Sequence, residues 1–256
     1  MLGAIIGDIA GSRFEFDPTN DYDFELFTDE CDFTDDTICT VAVADAVVNK
    51  KDICTTVHEW CRRYPYPMGG YGGSFAAWVH SDHPQPYHSF GNGAAMRVSP
   101  VAWLTENREQ VLELAAQTAA ITHNHPEGIK GAQTVALAIY EARKGTDIKT
   151  ILEDCAHFSG YDLDIALKEV QNKFDETCQG TVPVALWIIG QSNSFEDAVR
   201  RAVCLGADAD TLGAIVGSIA EAIWGIPDDI RMEVLNDIPK DMQQVVRQFY
   251  SECLSS

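Results

Sequence analysis

Two clusters of acids and threonines stand far apart in this chain, Thr34-Asp35-Asp36-Thr37 and Asp208-Ala209-Asp210-Thr211. Carboxylates this close together repel one another unless positive charge lies between them. A helix N-terminus supplies part of that charge. A pair of hard divalent cations supplies far more, and Asp and Thr oxygens suit Mg²⁺ or Mn²⁺. The adjacent carboxylates of Asp35 and Asp36 can point to two different ions. In Asp208-Ala209-Asp210 a loop-to-helix transition can turn both side chains inward. Two cations about 3.5–4 Å apart form a clamp that orients water and substrate oxygens. One such cluster alone reads as helix capping. Two, each with a threonine hydroxyl and an apolar helix behind it, favour the metal reading.

Three further stretches carry chemistry. Ser89-Phe90-Gly91-Asn92-Gly93-Ala94-Ala95-Met96-Arg97 is a glycine-rich turn entering an apolar helix. Unblocked backbone N–H groups there make an anion nest suited to phosphate, although Gly-Asn-Gly is also a plain tight turn. Thr122-His123-Asn124-His125-Pro126-Glu127 leads into another helix. His-x-His could bind a metal, but no third nitrogen or sulfur ligand has suitable spacing, so capping and loop packing compete with that role. In Arg13-Phe14-Glu15-Phe16 an acid stands between two aromatics. Such a carboxyl can have a raised pKa and serve as general acid or base, or can simply lie exposed between buried neighbours.

The elements that must position these groups are helical. Helical periodicity recurs along the chain and strand alternation does not. The pattern predicts helices over 2–12, 36–49, 52–63, 71–80, 93–105, 108–121, 127–143, 147–157, 162–174, 181–191, 195–205, 210–223 and 239–252. Ser194 before Phe195-Glu196-Asp197 is a helix start, and Gly225-Ile226-Pro227 a stop. Irregular stretches fall at 13–33, 64–70 and 81–92. Small residues recur every four positions at Gly3, Gly7 and Gly11, and again at Gly213 and Gly217, so two helix backbones can approach closely. These read as the central helices of a globular bundle. With no linker or repeat, residues 1–256 read as one compact all-α domain, a single-domain orthogonal helical bundle.

Composition narrows the partners. Acidic residues number 39 against 18 basic ones, a formal charge of −21. That argues against nonspecific binding to nucleic acid or an anionic membrane. An anionic ligand therefore needs a locally positive pocket, from metal ions, backbone N–H groups and a single arginine. The eight cysteines form no Cys-x-x-Cys pair, and Cys39, Cys155 and Cys204 sit in apolar helical patterns. Reduced thiols in a cytoplasmic protein are the expectation. The first residues lack a basic n-region and meet Asp8 early, so no signal peptide is expected. No uncharged apolar run reaches about 18 residues.

Taken together and in this order, the motifs resemble the ADP-ribosylglycohydrolase family, which includes the dinitrogenase reductase-activating glycohydrolases. The likeness runs from Gly3-Ala4-Ile5-Ile6-Gly7-Asp8 through Phe33-Thr34-Asp35-Asp36-Thr37, Gly69-Gly70-Tyr71-Gly72 and Gly91-Asn92-Gly93-Ala94-Ala95-Met96-Arg97. It continues through Thr122-His123 to Gly206-Ala207-Asp208-Ala209-Asp210-Thr211. The resemblance implies a binuclear Mg²⁺ or Mn²⁺ centre held by Thr34, Asp35, Asp36, Asp208, Asp210 and Thr211. It implies a diphosphate- and ribose-binding loop at Ser89, Phe90, Gly91, Asn92 and Gly93 with Met96 behind it, and His123 near the ligand. Glu15 lies where some O-glycosidic members carry a catalytic glutamate on a mobile loop. Asp35, Asp36 or Glu15 would handle the proton. Gly206-Ala207 departs from the two glycines of many members, which makes that turn less permissive.

The implied reaction is hydrolysis at the anomeric carbon of an ADP-ribosyl group, on an ADP-ribosylated protein or a small conjugate. N-linked arginine leads as the acceptor. O-linked serine, O-acetyl-ADP-ribose and nucleobase adducts are alternatives, and Tyr66, Tyr71 and Trp78 leave the acceptor pocket unread. A non-catalytic ADP-ribose binder or crystallin-like structural protein is a reading of another class. An unrelated acidic interaction protein is a third.

Overall fold

The computed structural model describes residues 1–254. Within them the chain is all-α, as expected, with only an isolated bridge between Gly91 and Thr177. The helices are α1 (Leu2–Gly11), α2 (Asp35–Val48), α3 (Ile53–Arg63), α4 (Gly73–His80) and α5 (Gly93–Met96). Then come α6 (Arg108–Ala120), α7 (Pro126–Arg143), α8 (Ile148–Ser159), α9 (Leu167–Val170) and α10 (Cys178–Gln191). The last four are α11 (Phe195–Val203), α12 (Ala209–Trp224), α13 (Asp228–Asp237) and α14 (Lys240–Cys253). Among the described residues no helix is long and apolar enough to cross a membrane.

The centre is the pair α1 and α12, and glycine sets its geometry. A Cβ at Gly7 would lie 1.9 Å from the Gly213 carbonyl oxygen, and one at Gly3 would lie 2.2 Å from that of Gly217. At Gly11 the clash is with the Ala209 oxygen, at 2.3 Å. As residue numbers rise on one helix they fall on the other, so the pair is antiparallel with backbones in contact. The end of α1 therefore meets the start of α12, where Asp208 and Asp210 stand. Both helices are buried along nearly their whole length. α7, α10 and α11 pack around α12, and α2 packs on both central helices.

Several boundaries differ from the pattern. The helix predicted over 93–105 stops at Met96 and resumes as a 3₁₀ turn over Ser99–Ala102. Pro100 has no N–H for the carbonyl four residues back and disfavours helix in the residue before it. The helix predicted over 162–174 shrinks to Leu167–Val170. Gly160 is left-handed, and Asp162 accepts from the Asp164 N–H at 2.9 Å, a local turn that competes with helix. α10 starts at Cys178, capped by Thr177, and carries Pro183 in its interior. α13 has no counterpart in the pattern, because only Ile230 and Val234 are buried on it. Ser194 does cap α11, and Gly225, with φ 73°, does close α12.

Candidate metal centre and adjoining cleft

Thr34 is the N-cap of α2, its Oγ1 accepting from the Asp36 N–H at 3.2 Å. This places Asp35 and Asp36 in the first helical turn. Asp208 stands at the N-cap position of α12 without a side-chain cap bond, and Asp210 falls in its first turn. The glycine-paved contact of α1 and α12 carries the second cluster to the first. Thr211 Oγ1 reaches Asp36 Oδ2 at 3.3 Å across 175 residues of sequence. Asp8, Asp36 and Asp210, all buried, each present a carboxylate oxygen within 4.8 Å of the others.

Asp8 was given no role by the sequence. It accepts from the Thr34 N–H at 3.0 Å, the Thr34 hydroxyl at 2.8 Å and the Thr37 N–H at 3.0 Å. Both of its oxygens are thereby occupied, so it braces the start of α2 against α1. An acid inside an otherwise apolar helix was the available signal. Among the described residues, Asp36 Oδ1 and Asp210 Oδ1 are the buried carboxylate oxygens without a protein partner. Buried oxygens of this kind, from carboxylates and flanked by threonine hydroxyls, fit a hard divalent cation.

The electrostatics agree. Burial first, and then the neighbouring acids, push Asp35, Asp36 and Asp210 well above the usual carboxylate range. Burial also lifts Asp8 and Asp208 to about 6, despite hydrogen bonds that oppose the rise. Carboxyls so placed hold protons or cations.

Beside this cluster lies a cleft of about 400 Å³ lined by Glu15, Asp35, Tyr71, Arg97, Asp208 and Asp210 among others. Ser89, Gly91, Asn92, Gly93, Met96, His123 and Thr211 also line it, whereas the buried Thr34 and Asp36 are not part of its lining. Phe90 lies against His125, ring centres 5.3 Å apart, and is half exposed. Glu15 is lifted to about 8, by burial and then by Asp210, Asp8 and Glu176. Its carboxylate rests against Gly69, where a Cβ would lie 2.3 Å from Oε2. Tyr71 spends its hydroxyl on the Tyr64 carbonyl at 2.7 Å, Trp78 is buried, and Tyr66 projects outward with 90% of its surface exposed.

The glycine turn differs from the expected open nest. Gly91 N–H donates to Ser89 Oγ at 3.1 Å and Asn92 N–H donates to the Glu176 carbonyl at 2.6 Å. Asn92 instead uses its side chain, donating to Asp208 Oδ2 at 2.7 Å and so fixing that carboxylate. The two histidines diverge: His125 caps α7, while His123 faces the glycine turn. Gly206 alone takes left-handed φ, at 71°, so Ala207 imposes no strain on the turn. Cys39 and Cys155 are buried as expected, but Cys204 is only half-buried.

Residues 1–255 match the family model described as ADP-ribosylglycohydrolase. The chain is 26% identical to the ADP-ribosyl-[dinitrogen reductase] glycohydrolase of Rhodospirillum rubrum, covering 97% of this chain and 92% of that protein. It is 26% identical to the ADP-ribosylarginine hydrolase Tri1 of Pseudomonas putida, over 88% of this chain and 70% of the relative. It is 24% identical to the human ADP-ribosylhydrolase ARH3, over 95% and 87%. A solved structure titled ADP-ribosylglycohydrolase-related protein complex superposes with a TM-score of 0.74 at 25% identity, covering 98% of this chain and 95% of the other.

Proposed function

The chain belongs to the ADP-ribosylglycohydrolase family and is a hydrolase of ADP-ribosyl glycosidic bonds, and from that premise we propose a divalent-cation-dependent enzyme that removes mono-ADP-ribose from protein arginine. The observation that carries the cation requirement is the pair of buried, unpartnered oxygens on Asp36 and Asp210, supplied from opposite ends of the chain. Thr34, Asp35, Asp36, Asp208, Asp210 and Thr211 would hold two ions, Mg²⁺ or Mn²⁺. Bound there, the cations supply the positive charge that orders ribose hydroxyls and makes water more acidic.

The chain's own residues do the rest. Asp8 braces Thr34 and Asn92 steadies Asp208, so the donor set is held before any ligand arrives. Ser89, Gly91, Asn92 and Gly93, with Met96 and His123, form the wall against which the diphosphate and its ribose lie. As the anomeric C–N bond breaks, positive charge grows on the ribose, and the surrounding carboxylates stabilise it. The departing guanidine nitrogen needs a proton. Glu15 is the best placed donor, because it lines the cleft, burial above all shifts its carboxyl toward the protonated form, and it is tied up by no hydrogen bond among the described residues. Asp35, also in the cleft wall and held ionised once the cations are bound, would take the proton from the attacking water. The products are ADP-ribose and free arginine side chain.

Arginine is favoured because Glu176 lines the cleft without a basic ion-pair partner among the described residues, which suits a guanidinium. The likeness to Tri1, named for ADP-ribosylarginine, points the same way. An O-linked acceptor is the second reading, favoured by the place of Glu15 in the cleft. The eight unpaired thiols suit a cytoplasmic enzyme, and a site drawn from both ends suits one domain over 1–256.

Purified protein with Mn²⁺ or Mg²⁺, offered ADP-ribosylated arginine, serine, O-acetyl and nucleobase substrates, should release ADP-ribose fastest from arginine. Glu15→Gln should lower kcat by about 10²-fold or more. Faster turnover of an O-linked substrate would overturn the arginine assignment. Tight ADP-ribose binding with no turnover on the whole panel would leave a binder.

A further inference from the structure

We propose that Arg97 and Thr122 form a hydrogen-bond relay that fixes His123 in the Nε2–H tautomer and aims that N–H at an oxygen of the ligand in the cleft. Arg97 follows the short α5 and is fully buried. Its guanidinium can only donate. Nη2 donates to the Thr118 carbonyl at 2.9 Å and to Thr122 Oγ1 at 2.7 Å. The same Thr122 oxygen lies 2.7 Å from His123 Nδ1.

Two proton arrangements fit those distances. Either the threonine hydroxyl donates to Nδ1, or Nδ1–H donates to the threonine. The second leaves the Thr122 hydroxyl proton without an acceptor among the described residues, although Thr122 is wholly buried. A buried unpaired donor is costly. In the first arrangement every group is used: Arg97 donates to Thr122, and Thr122 donates to Nδ1. The imidazole proton is then on Nε2.

That nitrogen faces the glycine turn. A Cβ at Gly93 would stand 3.2 Å from Nε2 and one at Gly91 would stand 3.4 Å from it. Glycine keeps the approach to Nε2 open at both places, and His123 lines the cleft. Burial, and then the Arg97 charge, push the His123 pKa down to about 2, so the ring is a neutral donor. Arg97 itself pairs with no carboxylate among the described residues, and its Nε and Nη1 are buried without partners. Its charge therefore gives the cleft positive potential, which a chain of net charge −21 otherwise lacks. With the Gly91 and Asn92 amides already engaged, His123 Nε2–H, set in the field of Arg97, takes over part of the anion recognition expected of the loop. Arg97 and Thr122 are thus positioning residues, and His123 is the ligand contact.

Naming the ligand as ADP-ribose rests on the proposed function; the relay does not. Long-range ¹H–¹⁵N spectra of histidine-labelled protein read the tautomer directly, with His123→Gln assigning the signals. The wild type should show a protonated Nε2 and a bare Nδ1 from neutral to mildly acid pH. Saturating ADP-ribose should shift Nε2 without changing the tautomer. Thr122→Val should free Nδ1, so that a minor Nδ1–H form joins the Nε2–H form, and should weaken ADP-ribose binding by about tenfold, the worth of one hydrogen bond. Thr122→Ser should restore both. An Nδ1–H ring in the wild type, an ADP-ribose affinity unchanged in Thr122→Val, or an Nε2 signal unmoved by bound ADP-ribose would overturn the relay. Should the protein bind no ADP-ribose while His123 keeps the Nε2–H form, the functional reading falls and the relay stands.

Discussion

Six acids crowd one corner of this protein, and each of Asp8, Glu15, Asp35, Asp36, Asp208 and Asp210 has its pKa raised chiefly by burial. Unfolding returns them to the ordinary range near about 4. Between that range and the raised values the folded state holds more protons than the unfolded one, so stability falls as pH rises. Without cations, the melting temperature should therefore drop from pH 5 to pH 8, the window set by values of about 6 for Asp8 and Asp208 and about 8 for Glu15. Mn²⁺ should restore more stability at pH 8 than at pH 5. Asp210→Asn should raise the melting temperature of the cation-free protein at pH 8 and abolish the gain from Mn²⁺. Thermal scans across this range check both. A flat cation-free profile would mean that the acids are not forced together as described.

At the level of elements, the glycine spacing on α1 and α12 does more than permit close packing. It sets which residues face each other and so carries Asp208 and Asp210 to Asp36. Gly7→Ala puts a methyl 1.9 Å from the Gly213 oxygen. Both atoms belong to rigid helix, so the backbones must separate, at a cost of about 3 kcal/mol or more. Gly73→Ala, which meets nothing within 4 Å at the start of α4, should be neutral or stabilising by up to about 1 kcal/mol. Urea unfolding of both variants separates the close approach from a general dislike of added methyls. These spacings were legible in the sequence because a four-residue period of glycine reports a single helix face. The break at Arg97 was not, since apolar residues continue past it and only Pro100 marks the stop. α13 escaped notice for the opposite reason, too few apolar residues to make a period, although Pro227 and the acids after it were a usable start signal.

Across the whole molecule, both acidic clusters and the order of the motifs could be read directly, because ligand types and helix starts are local properties. The groups that hold them were not local. Asp8 works by reaching Thr34 and Thr37 on another helix, and Arg97 by reaching Thr118 and Thr122. The amides of Gly91 and Asn92 are engaged by Ser89 and by a segment far along the chain, which the turn sequence does not announce. Folding closes the chain so that Asp36 and Thr211 touch. The central claim is that this closure makes one two-cation site from two distant halves. Titrating the cation-free protein with Mn²⁺ under electron paramagnetic resonance tests it most directly. The account predicts two ions per chain with a spin-coupled spectrum at saturation, and loss of that coupled spectrum in both Asp36→Asn and Asp210→Asn. Two uncoupled ions, or a coupled pair that survives either substitution, would contradict it.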